Sequence, residues 1–209
     1  MKGEAVRHPG INLGDDHGEA HSAAETLVFG FWVFLMSDLI VFGLMFATYV
    51  TMLTPNSFAG GPEPKDVFNL GSAFAQTILL LLSSLAMGFA GLALRYKHSV
   101  VRMNVWLLIS LFLGIGFLAL EINDFRDMIE MGAVPSRSGF LSAFFGLVPL
   151  HGLHVTAGCI WIVIMLVQLR VFGPNTVVKT RLLRLGLFWH FLDIVWIGIF
   201  SIVFLGGLA

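Results

Sequence analysis

Charge is what this chain lacks. Of its 209 residues only 12% are Asp, Glu, Lys or Arg, where a soluble domain carries about 25%. That scarcity excludes an ordinary water-soluble globule. A net charge of -1 without a basic patch gives no electrostatic footprint for nucleic acid, and no glycine-rich loop is built to cradle a phosphate. Cysteine is almost missing too. Cys159 stands alone inside an apolar run, cannot form an intrachain disulfide, and reads as a small buried residue. There is no internal repeat, no linker long enough to separate one domain from another, and no alternation of polarity over segments of about 10 residues, as the strands of a membrane barrel require. The first 25 residues have no apolar core, so they are not a signal peptide; they carry Asp15, Asp16, Glu19, Glu25, His8, His17 and His21.

What remains is apolar. Hydrophobic residues make up 57% of the chain, and Phe alone supplies 20. A helix crosses the hydrocarbon layer with about 20 residues, and five runs are long enough: Leu27–Leu53, Ala73–Leu94, Val105–Met131, Gly139–Val171 and Leu185–Leu208. The expected fold is therefore an all-α membrane protein, a bundle of five transmembrane helices. Residues 1–25 are expected to form a polar tail with turns at Pro9-Gly10 and Gly14-Asp15, and 26–209 the membrane domain. The three tail histidines could hold a metal weakly; a solvated tail is the simpler reading. Pro55-Asn56 and Gly60-Gly61-Pro62 punctuate the first connection. Ser138 is placed to cap the fourth helix. Pro149 removes a backbone donor within that helix, frees the carbonyl of Phe145, and is expected to kink it.

Lys and Arg set the orientation. With a cytoplasmic N-terminus, Lys2, Arg7, Arg95, Lys97, Arg102, Arg170, Lys179, Arg181 and Arg184 fall inside and Lys65, Arg126 and Arg137 outside, nine against three. The C-terminus then ends on the outer face. In the second helix Gln76, Leu80, Ser84, Gly88 and Gly91 share a face, and the small residues suit close approach of another helix; Gln76 needs a partner there. Gly114 and Gly116 are expected to act similarly in the third.

Ionisable residues at membrane depth cost roughly 2.5 kcal/mol or more unless paired or turned inward. Asp38 lies in the first helix, Glu121 and Asp124 on one face of the third, His151 and His154 on one face of the fourth, and His190 and Asp193 on one face of the fifth, between Trp189 and Trp196. Counting about 1.5 Å per residue from the helix ends, Glu121 is expected to meet His151 or His154. Asp38 is expected to join His190 and Asp193 nearer the cytoplasm. Three functional classes fit this inventory. A di-iron carboxylate bundle needs two Glu-x-x-His pairs; the pairs here are Glu-x-x-Asp, His-x-x-His and His-x-x-Asp, and histidines at different depths do not suit haem ligation. A transporter with carboxylate carriers would show inverted repeats, which are missing. The third class, preferred here, is buried polar pairs (Asp38, Gln76, Glu121, Asp124, His151, His154, His190, Asp193) that fix helix register and bind a partner subunit.

The run Phe140-Leu141-Ser142-Ala143-Phe144-Phe145, followed by His151-Gly152-Leu153-His154-Val155-Thr156-Ala157-Gly158 and by Trp189-His190-Phe191-Leu192-Asp193-Ile194-Val195-Trp196, resembles subunit III of the haem–copper terminal oxidases. The opening Phe29-Gly30-Phe31-Trp32-Val33-Phe34-Leu35-Met36-Ser37-Asp38 is similar as well, and Glu121 looks like that family's membrane-embedded glutamate. The resemblance covers nearly everything from residue 27 onward. Pro149-Leu150 departs from it, since the family often has small residues or threonine there. Five helices where mitochondrial-type subunit III has seven look like the cytochrome bo-type ubiquinol oxidase branch. The resemblance implies a subunit with no catalytic, cofactor-binding or metal-binding residue of its own. It implies haems and copper in a partner subunit I, other small oxidase subunits and membrane lipids as partners, bound phospholipid, and a role in assembly and proton uptake. A cytochrome c oxidase subunit III is the alternative, ahead of a small ion transporter or a haem-binding anchor.

Overall fold

The computed structural model describes residues 17–58, 61, 62, 64–95 and 100–208. His8, the turns at Pro9-Gly10 and Gly14-Asp15, Gly60 and Lys97 lie outside these. Five long helices make up the structure: α1 (His17–Thr51), α2 (Leu70–Arg95), α3 (Val100–Glu130), α4 (Gly139–Phe172) and α5 (Thr176–Ile199). The last continues through a wider π-type stretch, Phe200–Leu205. Each is long and apolar enough to cross a bilayer, and no strand occurs among the described residues. This is the all-α multi-pass fold expected from the apolar runs.

The helix ends follow from capping more than from apolarity. Asn175 accepts a hydrogen bond from the amide of Val178 at 2.9 Å and starts α5 nine residues ahead of the apolar run at Leu185, so Lys179, Arg181 and Arg184 lie on its first turns. Likewise α1 already begins at His17, within the stretch expected to be tail. Ser138 caps α4 as anticipated, its hydroxyl accepting from the amide of Leu141 at 3.1 Å. The end of α3 is a Schellman turn: Ala133 N–H donates to the Met128 carbonyl and Gly132 N–H to that of Ile129. Gly132 has φ 74°, a left-handed conformation that glycine adopts without a Cβ penalty. Helix α4 runs on through Pro149.

Helices α2, α3, α4 and α5 close into a ring, each packed on the next, and α1 lies outside it against α4 and α5. Two tryptophans of α5, seven residues apart, fill the ring. Trp189 donates from Nε1 to Ser83 Oγ of α2 at 3.1 Å. Its indole lies against Gly114 of α3 and Gly158 of α4, where an added Cβ would come within 2.9 and 2.8 Å of the ring. Ser83 also joins Ser110 of α3 through reciprocal hydroxyl-to-carbonyl bonds of 2.8 and 3.0 Å. One level along, Trp196 donates to Thr77 Oγ1 of α2 at 3.0 Å and packs edge-on to Phe117 of α3 and against His151 of α4.

Gly114 therefore does what small residues were expected to do, by admitting a ring instead of a backbone. Gly88 and Gly91 of α2 do not. Nothing stands within 4 Å of either, and with Leu182, Gly186, Leu187 and His190 they line an open cleft of about 220 Å³ between α2 and α5. The notches around Trp189 yield a direct test. Gly158→Ala forces the indole out of place and should cost about 1–3 kcal/mol, the usual penalty of overpacking. Gly43→Ala on α1, where nothing lies within 4 Å, should be neutral. Heat-unfolding midpoints of the purified variants measure both.

Candidate functional site

The polar residues buried between the helices form two groups. The first lies at the end of the bundle that carries the α1–α2 and α3–α4 connections. Asp124 of α3 accepts from Gln76 Nε2 of α2 at 2.6 Å and from Ser72 Oγ at 2.7–2.8 Å. Gln76, which needed a partner, has found a carboxylate, and one turn of α2 satisfies both oxygens of Asp124. Glu121, one turn away on α3, is only 4% exposed. Its carboxyl group rests on α4 at Gly152, where a Cβ would stand 2.5 Å from Oε2; a glycine is required at this contact. Oε1 of Glu121 makes no hydrogen bond.

Glu121 was expected to meet His151 or His154; it reaches α4 between them, at Gly152, and is bonded to neither. His151 is fully buried and donates from Nε2 to the Leu192 carbonyl of α5 at 3.2 Å; its Nδ1 has no partner. Around Glu121 and Asp124 opens a cleft of about 520 Å³, walled by Phe68, Phe125, Phe144 and Phe204.

The second group departs from expectation. Asp38 does not join His190 and Asp193. Its Oδ2 lies 3.3 Å from Nε2 of His154 on α4, the two side chains being 16% and 23% exposed. The reason is the arrangement of helices: α1 packs on α4 and α5 outside the ring, while His190 turns to α2, with Nδ1 2.8 Å from Ser84 Oγ. Asp193 is buried and also bonds Ser84, with Oδ1 unpartnered. His190 itself is exposed in this chain, contrary to its expected burial, because Gly88, Gly91 and Gly186 beside it have no side chains to cover it. The hydroxyls of Ser72, Thr77, Ser83 and Ser110 escaped notice in the sequence, and Ser84 was read there only as a small packing residue. Their one signal was placement on α2 and α3 faces that also carry glycine or Gln76.

His151, His154 and His190 therefore answer to a carbonyl, a carboxylate and a hydroxyl. Among the described residues no three His, Cys, Asp or Glu side chains gather where they could hold a metal ion. What the arrangement does chemically is join helices: α2 to α3 through Asp124, α3 to α4 at Gly152, α4 to α5 through Leu192, α2 to α5 through Ser84, and α1 to α4 through Asp38.

Comparison with known proteins adds a family. The profile of the family described as cytochrome c oxidase subunit III matches residues 11–208. Cytochrome bo(3) ubiquinol oxidase subunit 3 of Pseudomonas putida is 46% identical over 90% of this chain and 89% of its own length. The protein of the same name from Pseudomonas aeruginosa is 44% identical over 93% of this chain and 92% of its own. Quinol oxidase subunit 3 of Bacillus subtilis is 40% identical over 87% and 88%.

The Asp124 contact is testable by a mutant cycle. Gln76→Leu removes the 2.6 Å donor and should cost about 1–3 kcal/mol, since a half-buried carboxylate loses its bond without losing its need for one. Adding Asp124→Leu should restore part of that loss, because both partners are then apolar. Unfolding midpoints of the two single variants and the double variant in one detergent would show it.

Proposed function

The chain belongs to the cytochrome c oxidase subunit III family, and from that premise we propose that it is the non-catalytic subunit III of a proton-pumping terminal oxidase that oxidises ubiquinol and reduces dioxygen to water. The observation that carries this reading is the near full-length similarity to cytochrome bo(3) ubiquinol oxidase subunit 3, at 46% identity. The haems and copper sit in a partner subunit I. This chain supports assembly of that subunit, holds phospholipid and sustains proton uptake, and it takes no part in electron transfer.

The geometry supports a supporting role in a specific way. Asp38, Asp124, His151 and His190 find partners on neighbouring helices, so their first work is to fix the bundle. The cleft near Glu121 has phenylalanine walls and three carboxylates, Glu121, Asp124 and Asp127; it suits the acyl chain of a lipid better than a phosphate headgroup. Helix α1 leaves Phe29, Ile40 and Leu44 exposed, a surface for lipid or for other oxidase subunits. The basic bias puts the N-terminus in the cytoplasm and the C-terminus in the periplasm of a bacterial inner membrane.

The decisive experiment is purification of the full chain from its native membrane in mild detergent. A haem-bearing chain should copurify, and the preparation should consume oxygen with ubiquinol. Absence of any haem-bearing chain, or a Soret band belonging to this chain alone, would overturn the reading. Topology has its own test. Reporter fusions after Ser99 and after Gly207 should lie on opposite sides of the membrane, and the same side for both would refute the orientation.

A further inference from the structure

Helix α1 is the least buried of the five, and its seat on the ring is narrow. Leu35, Phe42 and Tyr49, seven apart, are its buried residues beyond Ala24, and Phe31 and Met45 pack beside them. This is the spacing of a two-helix seam. Phe31 meets Trp161, Phe42 meets His154 and Phe191, and the Tyr49 hydroxyl donates to the Val203 carbonyl at 3.3 Å. Asp38 occupies the seam position between Leu35 and Phe42, where the pattern calls for an apolar residue.

Its partner settles where protons must be. Nδ1 of His154 lies 2.7 Å from the Leu150 carbonyl, one turn back on α4. A carbonyl only accepts, so Nδ1 carries a hydrogen and donates it. Nε2 is then the nitrogen turned to Asp38, and in a neutral ring it is a bare lone pair. Oδ2 of Asp38, 3.3 Å away, has no hydrogen bond. An ionised carboxylate against that lone pair would set two acceptors face to face at membrane depth. One further proton, on Nε2 or on the carboxyl, makes the contact attractive and leaves it with no net charge.

The geometry points to a proton-binding site formed by Asp38 and His154, in which one bound proton seats α1 on α4 and its release unseats the helix. The ligand is the proton itself. Among the described residues, the other titratable groups packed near this contact make bonds elsewhere, although Nδ1 of His151 is without a partner. His151, one turn along α4, is committed to the Leu192 carbonyl. On α5, His190 and Asp193 turn to Ser84 of α2. The α5 residue beside His154 is Phe188, its ring tilted 37° to the imidazole at 6.5 Å between centroids. The contact is internal to the chain and stands whichever oxidase the chain serves.

The test follows the α1–α4 distance against pH in the full chain within its native complex. Spin labels are placed at Leu44→Cys and Val163→Cys, both exposed positions, in a Cys159→Ser background. The pH is varied from about 5 to about 9. In the chain with Asp38 and His154 intact, the seated distance should hold at low pH and be lost as pH rises. Asp38→Asn should keep it throughout, because the amide N–H donates to neutral Nε2 without an added proton. Should that variant fail to assemble, His154→Gln serves, its amide donating to the carboxylate at every pH. A distance that does not change with pH when both residues are intact, or an amide variant that follows the same pH course, would overturn the site.

Discussion

Hydrocarbon withholds the two things that hold a soluble protein together. It offers no water to satisfy a polar group, and it exerts no hydrophobic force between helices, since lipid is as apolar as leucine. The structure depends on what replaces them. Close packing comes from rings entering glycine notches: the indole of Trp189 occupies spaces at Gly114 and Gly158 that any Cβ would fill. Direction comes from single hydrogen bonds between helices, such as Trp189 to Ser83 and Trp196 to Thr77. Because both indoles belong to α5 and both hydroxyls to α2, these bonds fix the rotation and the height of one helix against the other.

This division explains the different standing of the five helices. The ring of α2 to α5 is held at several levels by hydroxyls, indoles and the Asp124 contact. Helix α1 has a seam of one side chain per half-heptad, with the Tyr49 hydroxyl and the Asp38 carboxylate as its polar contacts among those described above. A helix held so lightly is the one whose position a single charge can decide. The carboxylates near the opposite connections work otherwise. Asp124 is bonded from α2 on both oxygens, so its role is already discharged within the ring.

Much of this was legible in the residues alone. Apolar run length gave five helices, and Ser138 gave the start of α4, because both signals are local. Gln76 announced a polar partner, whereas depth counting set Glu121 level with His154 and the carboxyl instead rests at Gly152 without a histidine partner. The pairing of Asp38 was not legible, because sequence gives the height of a residue and the face it shares, but not which helices are neighbours. Only the placement of α1 outside the ring separates Asp38 from Ser84 and delivers it to His154. The exposure of His190 has the same origin: glycines that could have closed an interface left a cleft instead.

A subunit with the supporting role proposed above could dispense with ionisable residues, and energetics sharpens why these persist. Replacing both members of a buried charged pair by apolar residues of similar size is often neutral or stabilising, whereas removing one is costly, about 3–5 kcal/mol. Asp38 and His154 are therefore a poor way to gain stability. Leucine at residue 38 would complete the apolar seam with Leu35 and Phe42 and hold α1 at any pH. It would also let the helix slide by a heptad, since apolar seams score alternative registers alike, while a polar residue within a seam specifies one. The carboxylate admits a single height, that of His154 Nε2, and only when a proton is present. What the pair adds over leucine is thus conditional register, and that property distinguishes it from Asp124, whose amide and hydroxyl donors keep their hydrogens across the working range of pH.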